Sequence, residues 1–424
     1  MTGSDTSGGT SDETTRVIPE KGWSRKDILL IMVVLLMRLG EGVELYLPGV
    51  ITQQVSCELG VTPFQEGVLG VILYVTLTLS VAVTGSLSDR IGRKLVILIS
   101  LYTAILFTVF CAIVPNYYTL LLSRALNGLC LGLSSSTLGV YFAESVSSRD
   151  LYTRGTALGG LCIAAGGGWI TLLAYLLLDL IGWRGFVVIT SLPFFIPPII
   201  ILHCYLEDSA PGRSSIAEIG GGTSTTVVNY TLRVIRISIF LFINMLQGHG
   251  TIILLPALLR MNNKDLNVIP GEQHTSCIGT VHGSQLLLLG AVQGVMNILG
   301  RVAGYLVSGR VNFRVVQSCL AFVITLSYGM LLCRSELVAT VVAIGIVKLV
   351  YSMMMLQLTL LIYDPGYFGW DKLAAGSAIA VASGCCGSAI GNAFAAFLKP
   401  QVAVIITFVF SILQIGVACS FNDI

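Results

Sequence analysis

Charged residues are scarce in this sequence of 424 residues. Asp, Glu, Lys and Arg make up 11% of it, whereas apolar residues make up 54%. A soluble domain carries roughly a quarter charged residues, so the composition argues against a soluble enzyme and against a DNA-binding protein. An intrinsically disordered chain is also excluded, because disorder requires low hydrophobicity and high net charge. The net charge is only +2, which leaves no basic surplus for binding nucleic acid.

Sequence motifs for several common chemistries are also missing. There is no GxxxxGK[ST] segment, so ATP-driven transport is unsupported. There is no CxxC pair and no Cys/His zinc spacing, and no nucleophile–base arrangement indicates an enzyme. We therefore expect neither an enzymatic activity nor a bound metal or cofactor.

Most of the eleven cysteines lie in apolar runs, where they behave as small hydrophobic residues. Cys57 and Cys277 are the exceptions, because both lie in polar segments. Each is predicted to lie in an outer loop of one half of the chain, where an oxidising compartment would allow a disulfide between them.

Long apolar runs dominate the rest of the sequence. A helix needs about 20 apolar residues to cross a hydrocarbon layer of about 30 Å. Twelve segments meet this length, at 28–50, 67–88, 93–114, 119–143, 155–178, 185–206, 233–259, 285–308, 314–333, 337–363, 373–397 and 400–421. Strands are not expected, because lipid does not tolerate open sheet edges and the alternation of a barrel is absent. The sequence therefore predicts an all-α polytopic membrane protein with twelve transmembrane helices in the lipid bilayer.

The connections between these segments predict the domains and the orientation. Residues 1–27 are predicted to be a disordered tail, and 207–232, rich in Gly, Ser and Thr, a flexible linker. The linker separates six segments in 28–206 from six in 233–424. Fifteen Lys and Arg fall on the side of the N-terminus and five on the other side. Positive charge accumulates on the cytoplasmic side, so both termini are expected in the cytoplasm.

The connection between the second and third segments carries a recognisable motif. It runs from Gly85 to Lys94 as GSLSDRIGRK and resembles the signature loop G-x-L-x-D-R-x-G-R-K of the major facilitator superfamily. Small Gly85 would let two helices approach closely, and Asp89 would face a helix N-terminus. Under this resemblance the residues assigned to gating are Gly85, Asp89, Arg90, Gly92 and Arg93.

Further fragments in the first half resemble one branch of that family. Gly40-Glu-Gly-Val-Glu44, Arg124-Ala-Leu-Asn-Gly128 and Tyr141-Phe-Ala-Glu144 are similar to stretches of the synaptic vesicle glycoprotein 2-related and organic-ion transporter branch. The resemblance implies two six-helix bundles around a central cavity, in a monomer. It implies secondary transport of a small organic anion, cation or zwitterion by alternating access, with protons as a further candidate partner. The expected location is the plasma membrane or an intracellular vesicle membrane.

Departures from the family pattern leave two alternatives open. The second-half copy of the signature loop has Ser308 where the acid is expected, and the end of the first half has degenerated to Glu207-Asp-Ser-Ala-Pro211. These losses favour a transporter-like receptor or binding scaffold that no longer transports. A sugar porter is a further alternative, which the absence of a clear Gln-Gln pair in the seventh segment disfavours.

Ionisable residues inside the predicted spans are the main candidates for binding or coupling. Such residues are costly in lipid and need a partner or a function. Arg38, Glu41 and Glu44 share one face of the first helix, and the depth of Glu44 matches that of Arg124 in the fourth. Glu41 is a candidate for exchanging a proton or a cationic solute, with Arg38 as its neighbour at i, i+3.

The second half supplies the remaining candidates. Lys348 lies near the predicted midplane without a sequence-local partner, so we expect it to hold an anionic group across the cavity. Arg301 lies nearer the inner end, where it could snorkel, and is assigned a structural role. Polar candidates in the seventh, eighth and tenth segments are Asn244, Gln247, Gln293, Asn297 and Tyr351.

Overall fold

The computed structural model describes residues 23–208, 227–262, 294–308, 310–333, 337–368 and 373–421. Within these residues all regular structure is helical. In chain order the helices are α1 (Arg25–Leu59), α2 (Pro63–Ile91), α3 (Arg93–Ile113), α4 (Tyr117–Ser145), α5 (Arg149–Tyr205), α6 (Val227–Asn262), α7 (Met296–Val307), α8 (Phe313–Cys333), α9 (Leu337–Ile362), α10 (Pro365–Phe368), α11 (Leu373–Phe397) and α12 (Pro400–Cys419).

Each predicted apolar segment corresponds to one of these long helices or to part of one. Segments 155–178 and 185–206 are the two parts of α5, which is interrupted at Gly182 by a non-helical backbone with φ 67°. Segment 285–308 begins outside the described residues, and its described part is mainly α7. In the part of the chain that the structure describes, eight helices are long and apolar enough to cross a membrane. The predicted all-α polytopic class is confirmed.

Only parts of the predicted tail and linker lie within the described residues. Helix α1 already begins at Arg25, inside the predicted tail, because Ser24 and Asp27 form a capping box. Helix α6 begins at Val227, inside the predicted linker 207–232. Residues 1–22 and 209–226 lie outside the described residues, so the disorder and flexibility expected there stay predictions.

The interruption at Gly182 is held by contacts to the end of α1. The Arg184 guanidinium pairs with the Glu58 carboxylate at 2.8 Å and donates to the carbonyls of Ala112 and Val114 at the end of α3. The Trp183 indole also donates to Glu58. Burial raises the pKa of Glu58, but hydrogen bonds from Arg184 and Trp183 outweigh it, so the pKa lies below its usual value.

Glycines set how closely the helices pack. In the first half α1 packs on α5 and α2 on α4, and in the second half α6 packs on α11 and α7 on α9. The two halves meet where α2 contacts α11 and where α5 contacts α7. At the second of these crossings, a methyl group on Gly294 would lie 2.7 Å from the Cα of Gly168. Small residues allow such backbone contact between helices.

Gly128 of the α4 motif gives a direct test of this packing. A methyl group there would lie 2.5 Å from the Leu73 carbonyl oxygen of α2. We expect Gly128→Ala to lower the free energy of unfolding by about 1–3 kcal/mol, because the helices must move apart. Thermal unfolding of the purified protein in detergent measures the change. Gly416→Ala is the control, since a methyl group there meets nothing within 4 Å, and equal stability of the two variants would contradict the packing role.

Candidate functional site

A cavity of about 130 Å³ lies between the two halves. Helices α1, α2, α4 and α5 of the first half line it together with α6, α7, α9 and α11 of the second. Most of its wall is apolar or aromatic. Its charged and ionisable groups include Arg38, Glu41, His249, Arg301 and Tyr351.

Arg38 and Glu41 form a closed cluster on the first-half wall. The Arg38 Nη1 atom lies 2.7 Å from Glu41 Oε2 and donates to the Ser135 hydroxyl at 2.8 Å. The same hydroxyl donates to Glu41 Oε1 at 2.8 Å. The predicted i, i+3 pair is therefore present, and both carboxylate oxygens are engaged. Ser135, from a run of three serines in α4, is a cavity residue that the sequence reasoning missed.

Arg301 contributes the positive charge of the second-half wall. Its side chain is only 6% exposed, yet it lines the cavity. It reaches across to Gly160 of α5, where a methyl group would lie 3.0 Å from Arg301 Nη1. The sequence suggested that Arg301 could snorkel, but α7 turns this side chain toward the interface of the halves, where it lines the cavity.

His249 lies between a tyrosine from each half. Its ring centroid is 5.4 Å from that of Tyr74 in α2 and 5.9 Å from that of Tyr351 in α9. Its Nδ1 atom is 2.7 Å from the Ser388 hydroxyl of α11. The candidate Tyr351 therefore lines the cavity as expected, next to a histidine that the sequence analysis did not select.

Lys348 does not line the cavity, which corrects the expectation for this residue. Its side chain is fully buried, and its Nζ atom donates to the Gly248 carbonyl of α6. The Tyr351 ring, 5.8 Å from Nζ, takes the position at the cavity wall. Helix α9 is apolar nearly all round, so its residue pattern does not indicate which face meets the cavity.

Glu44 and Arg124 form the ion pair expected from their depths, but outside the cavity wall. Arg124 Nη1 lies 2.9 Å from Glu44 Oε2, and Asn127 Nδ2 donates to the same oxygen at 2.9 Å. Both charged residues are at most 1% exposed. Because neither lines the cavity, the geometry favours a structural brace between α1 and α4 over solute binding.

The polar candidates of the second half also lie away from the cavity wall. Asn244 accepts a hydrogen bond from Gln414, and Gln247 is fully buried. Asn297 instead joins the halves, since its Nδ2 atom donates to the Tyr46 hydroxyl of α1 at 3.0 Å. Gln293 lies outside the described residues.

The signature loop is organised by Arg93. Its Nη1 atom lies 2.8 Å from Asp89 Oδ1, and its Nη2 atom donates to Glu144 Oε1 at 2.7 Å. Gly85 is buried, whereas Asp89 and Arg90 are exposed. Asp89 was expected to face a helix N-terminus, but its carboxylate instead pairs with Arg93, one helical turn later.

The carboxylate at that helix N-terminus is Asp208. It accepts from the Lys94 amide at 2.9 Å, in the first turn of α3. Gly92 makes the approach possible, because its φ of 95° suits glycine and a side chain there would collide with Asp208. The adjacent Glu207 carbonyl accepts from the Tyr141 hydroxyl at 2.7 Å. The degenerate end of the first half therefore still packs on the signature loop.

Comparisons with known proteins agree with this architecture. The family model of the Major Facilitator Superfamily matches residues 30–396. Among curated proteins, synaptic vesicle glycoprotein 2A of Rattus norvegicus is 29% identical over 169 residues, which is 39% of this chain and 22% of that protein. Synaptic vesicle glycoproteins 2B and 2C of Rattus norvegicus are 27% and 28% identical over 192 residues, which cover 45% and 42% of this chain. The matched regions are 28% and 26% of those proteins, so the similarity covers about a quarter of each relative.

The buried Glu44–Arg124 pair gives a testable prediction. Removing one partner of a buried pair leaves an uncompensated charge, which typically costs about 3–5 kcal/mol. We expect Glu44→Gln and Arg124→Gln each to lower the unfolding temperature in detergent more than the double variant does. If Glu44→Gln kept full stability but lost binding of a solute, the pair would belong to the binding site and not to the scaffold.

Proposed function

Because the chain belongs to the Major Facilitator Superfamily, a family of membrane transporters, we propose that it moves a small organic solute across a membrane by alternating access. The observation that carries this proposal is the cavity whose wall is built by both halves. A solute bound there contacts both bundles at once. A rocking motion of one bundle against the other would then expose the same site to either side.

The contacts that join the halves are suited to such a motion. The end of the molecule that includes Phe64 and Phe397 is called the far face here, and the end that includes the signature loop is called the loop face. Besides the contact of α2 with α11, the halves meet through the glycine crossing of α5 and α7 and through the hydrogen bond from Asn297 to Tyr46. At the far face the tilted rings of Phe64 and Phe397 also meet, with centroids 5.2 Å apart. All of these contacts join one bundle to the other, so they can separate while each bundle stays intact.

We place the loop face in the cytoplasm, together with both termini. Arg90, Arg93 and Lys94 lie at this end of the molecule, and basic residues accumulate on the cytoplasmic side. The relatives are named after the synaptic vesicle, which supports a vesicle membrane, with the plasma membrane as the other candidate. One chain supplies all the described walls of the cavity, so a monomer suffices for transport.

The proposal can be tested by uptake into proteoliposomes. The assay uses two pH values and a panel of organic anions, cations and zwitterions. We expect Asp89→Asn to preserve expression and slow turnover severalfold, because it removes one partner of Arg93 at the loop face. Asp150→Asn is the matched control: Asp150 pairs with Arg154 at i, i+4 as Asp89 pairs with Arg93, but Arg154 is exposed whereas Arg93 is buried.

Three results would change this assignment. Solute binding without uptake of any panel member would favour the receptor or scaffold. A change of solute preference at unchanged rate in Asp89→Asn would remove the gating role from this residue. Uptake restricted to sugars would identify a sugar porter.

Coupling to protons is proposed for Glu41. Its carboxylate lies at the cavity wall, 14% exposed, between Arg38 and Ser135. The neutral amide in Glu41→Gln cannot titrate, so we expect this variant to lose the pH dependence of uptake while still exchanging solute across the membrane. Glu66→Gln, at the outer end of α2, is the control. Unchanged pH dependence in Glu41→Gln would leave Glu41 as a fixed partner of Arg38.

A further inference from the structure

Arg301 stands out among the charged groups of the cavity because its guanidinium has no acceptor among the described residues. Its Nε atom is buried without a hydrogen-bond partner. Three other basic residues deep inside the predicted spans are engaged: Arg38 with Glu41, Arg124 with Glu44, and Lys348 with the Gly248 carbonyl. An arginine keeps its charge in proteins and offers donors in a planar fork.

The charge balance of the cavity follows from these contacts. Glu41 neutralises Arg38 on the first-half wall, and both of its oxygens are already occupied by Arg38 and Ser135. Arg301 adds one positive charge that nothing on the described wall compensates. A buried charge of this kind is costly unless it is paired and hydrogen-bonded. A partner that balances the net charge of the described wall would carry about one negative charge.

We propose that the solute is a small organic monoanion, a carboxylate on an apolar body, and that Arg301 binds the carboxylate through its fork. This inference rests on the proposed transport function and names its substrate class. A planar carboxylate matches the guanidinium in a bidentate arrangement. A cationic solute would be repelled by Arg301, and a dianion would bring a second charge that the cavity leaves unpaired.

The rest of the wall fits the body of such a solute. Leu77, Leu138, Ile163, Met245 and Tyr351 are among the apolar and aromatic residues around the cavity. The volume of about 130 Å³ is below the ~300–1,000 Å³ of sites for drug-sized ligands. Both features favour a carboxylate with a single ring or a short alkyl chain.

The position of Arg301 also links binding to the contact between the halves. The side chain belongs to α7 of the second half but lies against Gly160 in α5 of the first. A carboxylate held there would sit at the interface of the two bundles. Its binding should therefore stabilise the folded protein as a whole, which makes thermal unfolding a suitable readout.

The test uses the full-length protein purified in detergent and four probes of similar size. Benzoate and hexanoate are monoanions, benzyl alcohol is neutral and benzylammonium is cationic. We expect benzoate or hexanoate to raise the unfolding temperature in a saturable way, and the other two not to do so. Arg301→Gln should weaken the apparent affinity for the anion by about tenfold to a hundredfold, as expected for hydrogen bonds to a charged group.

Two further variants keep the test decisive. Arg301→Lys retains the charge without the planar fork and should bind the anion with intermediate affinity, so it serves if Arg301→Gln does not fold. Arg314→Gln, an exposed arginine at the start of α8, should bind like the wild type. The proposal is overturned if neither anion stabilises the protein more than benzyl alcohol, or if Arg301→Lys and wild type bind equally.

The substrate class and the transport function can fail separately. Stabilisation by benzoate that depends on Arg301, without accumulation of labelled benzoate in proteoliposomes, would support the anion site and contradict transport. Uptake of neutral or cationic solutes, with no effect of benzoate or hexanoate, would support transport and reject the monoanion.

Discussion

The cost of placing charge away from water is the constraint on which this structure depends. Ionisable residues lie deep within the predicted apolar segments, where the membrane setting offers no solvent to satisfy them. They include Arg38, Glu41, Glu44, Arg124, Arg301 and Lys348. The protein pairs Arg124 with Glu44 inside the first bundle and uses the pair to hold α1 on α4. It pairs Arg38 with Glu41 at the cavity wall. Arg301 leaves positive charge where both bundles meet. The pairing of buried charges therefore also sets the net charge of the cavity wall.

Much of the fold followed from the sequence because the membrane restricts the possibilities. Segment length predicted the helices well, and the one continuous element that replaced two predicted segments, α5, differs from expectation only around Gly182. Matching depths along α1 and α4 correctly predicted that Glu44 meets Arg124. The depth of a residue along a membrane helix can be estimated from the sequence, because each helical residue adds a fixed rise along the axis.

The orientation of each helix about its own axis was harder to predict. Lys348 was expected at the cavity and Arg301 in a structural role, but it is Arg301 that lines the cavity, while Lys348 is buried against the Gly248 carbonyl. In α9 most of the neighbours of Lys348 are apolar, so no clear stripe indicates which face is buried. The rotation is decided by close contacts between helices, such as Tyr351 against Gly248, which involve residues far apart in the chain. His249 and Ser135 were missed for the same reason.

The crossing of α5 and α7 at Gly168 and Gly294 has a consequence for the kinetics of the molecule. When an interface of long side chains closes, each side chain loses rotamer freedom, which costs up to about 2 kcal/mol for each side chain. Here backbone meets backbone, so closing the crossing restricts no side-chain torsion at that point. The conformational entropy of this contact is therefore nearly the same when it is made and when it is broken. The two helices can therefore separate and meet again at this point without reordering side chains. The free energy that joins the halves here resides in the specific contacts nearby, such as the hydrogen bond from Asn297 to Tyr46.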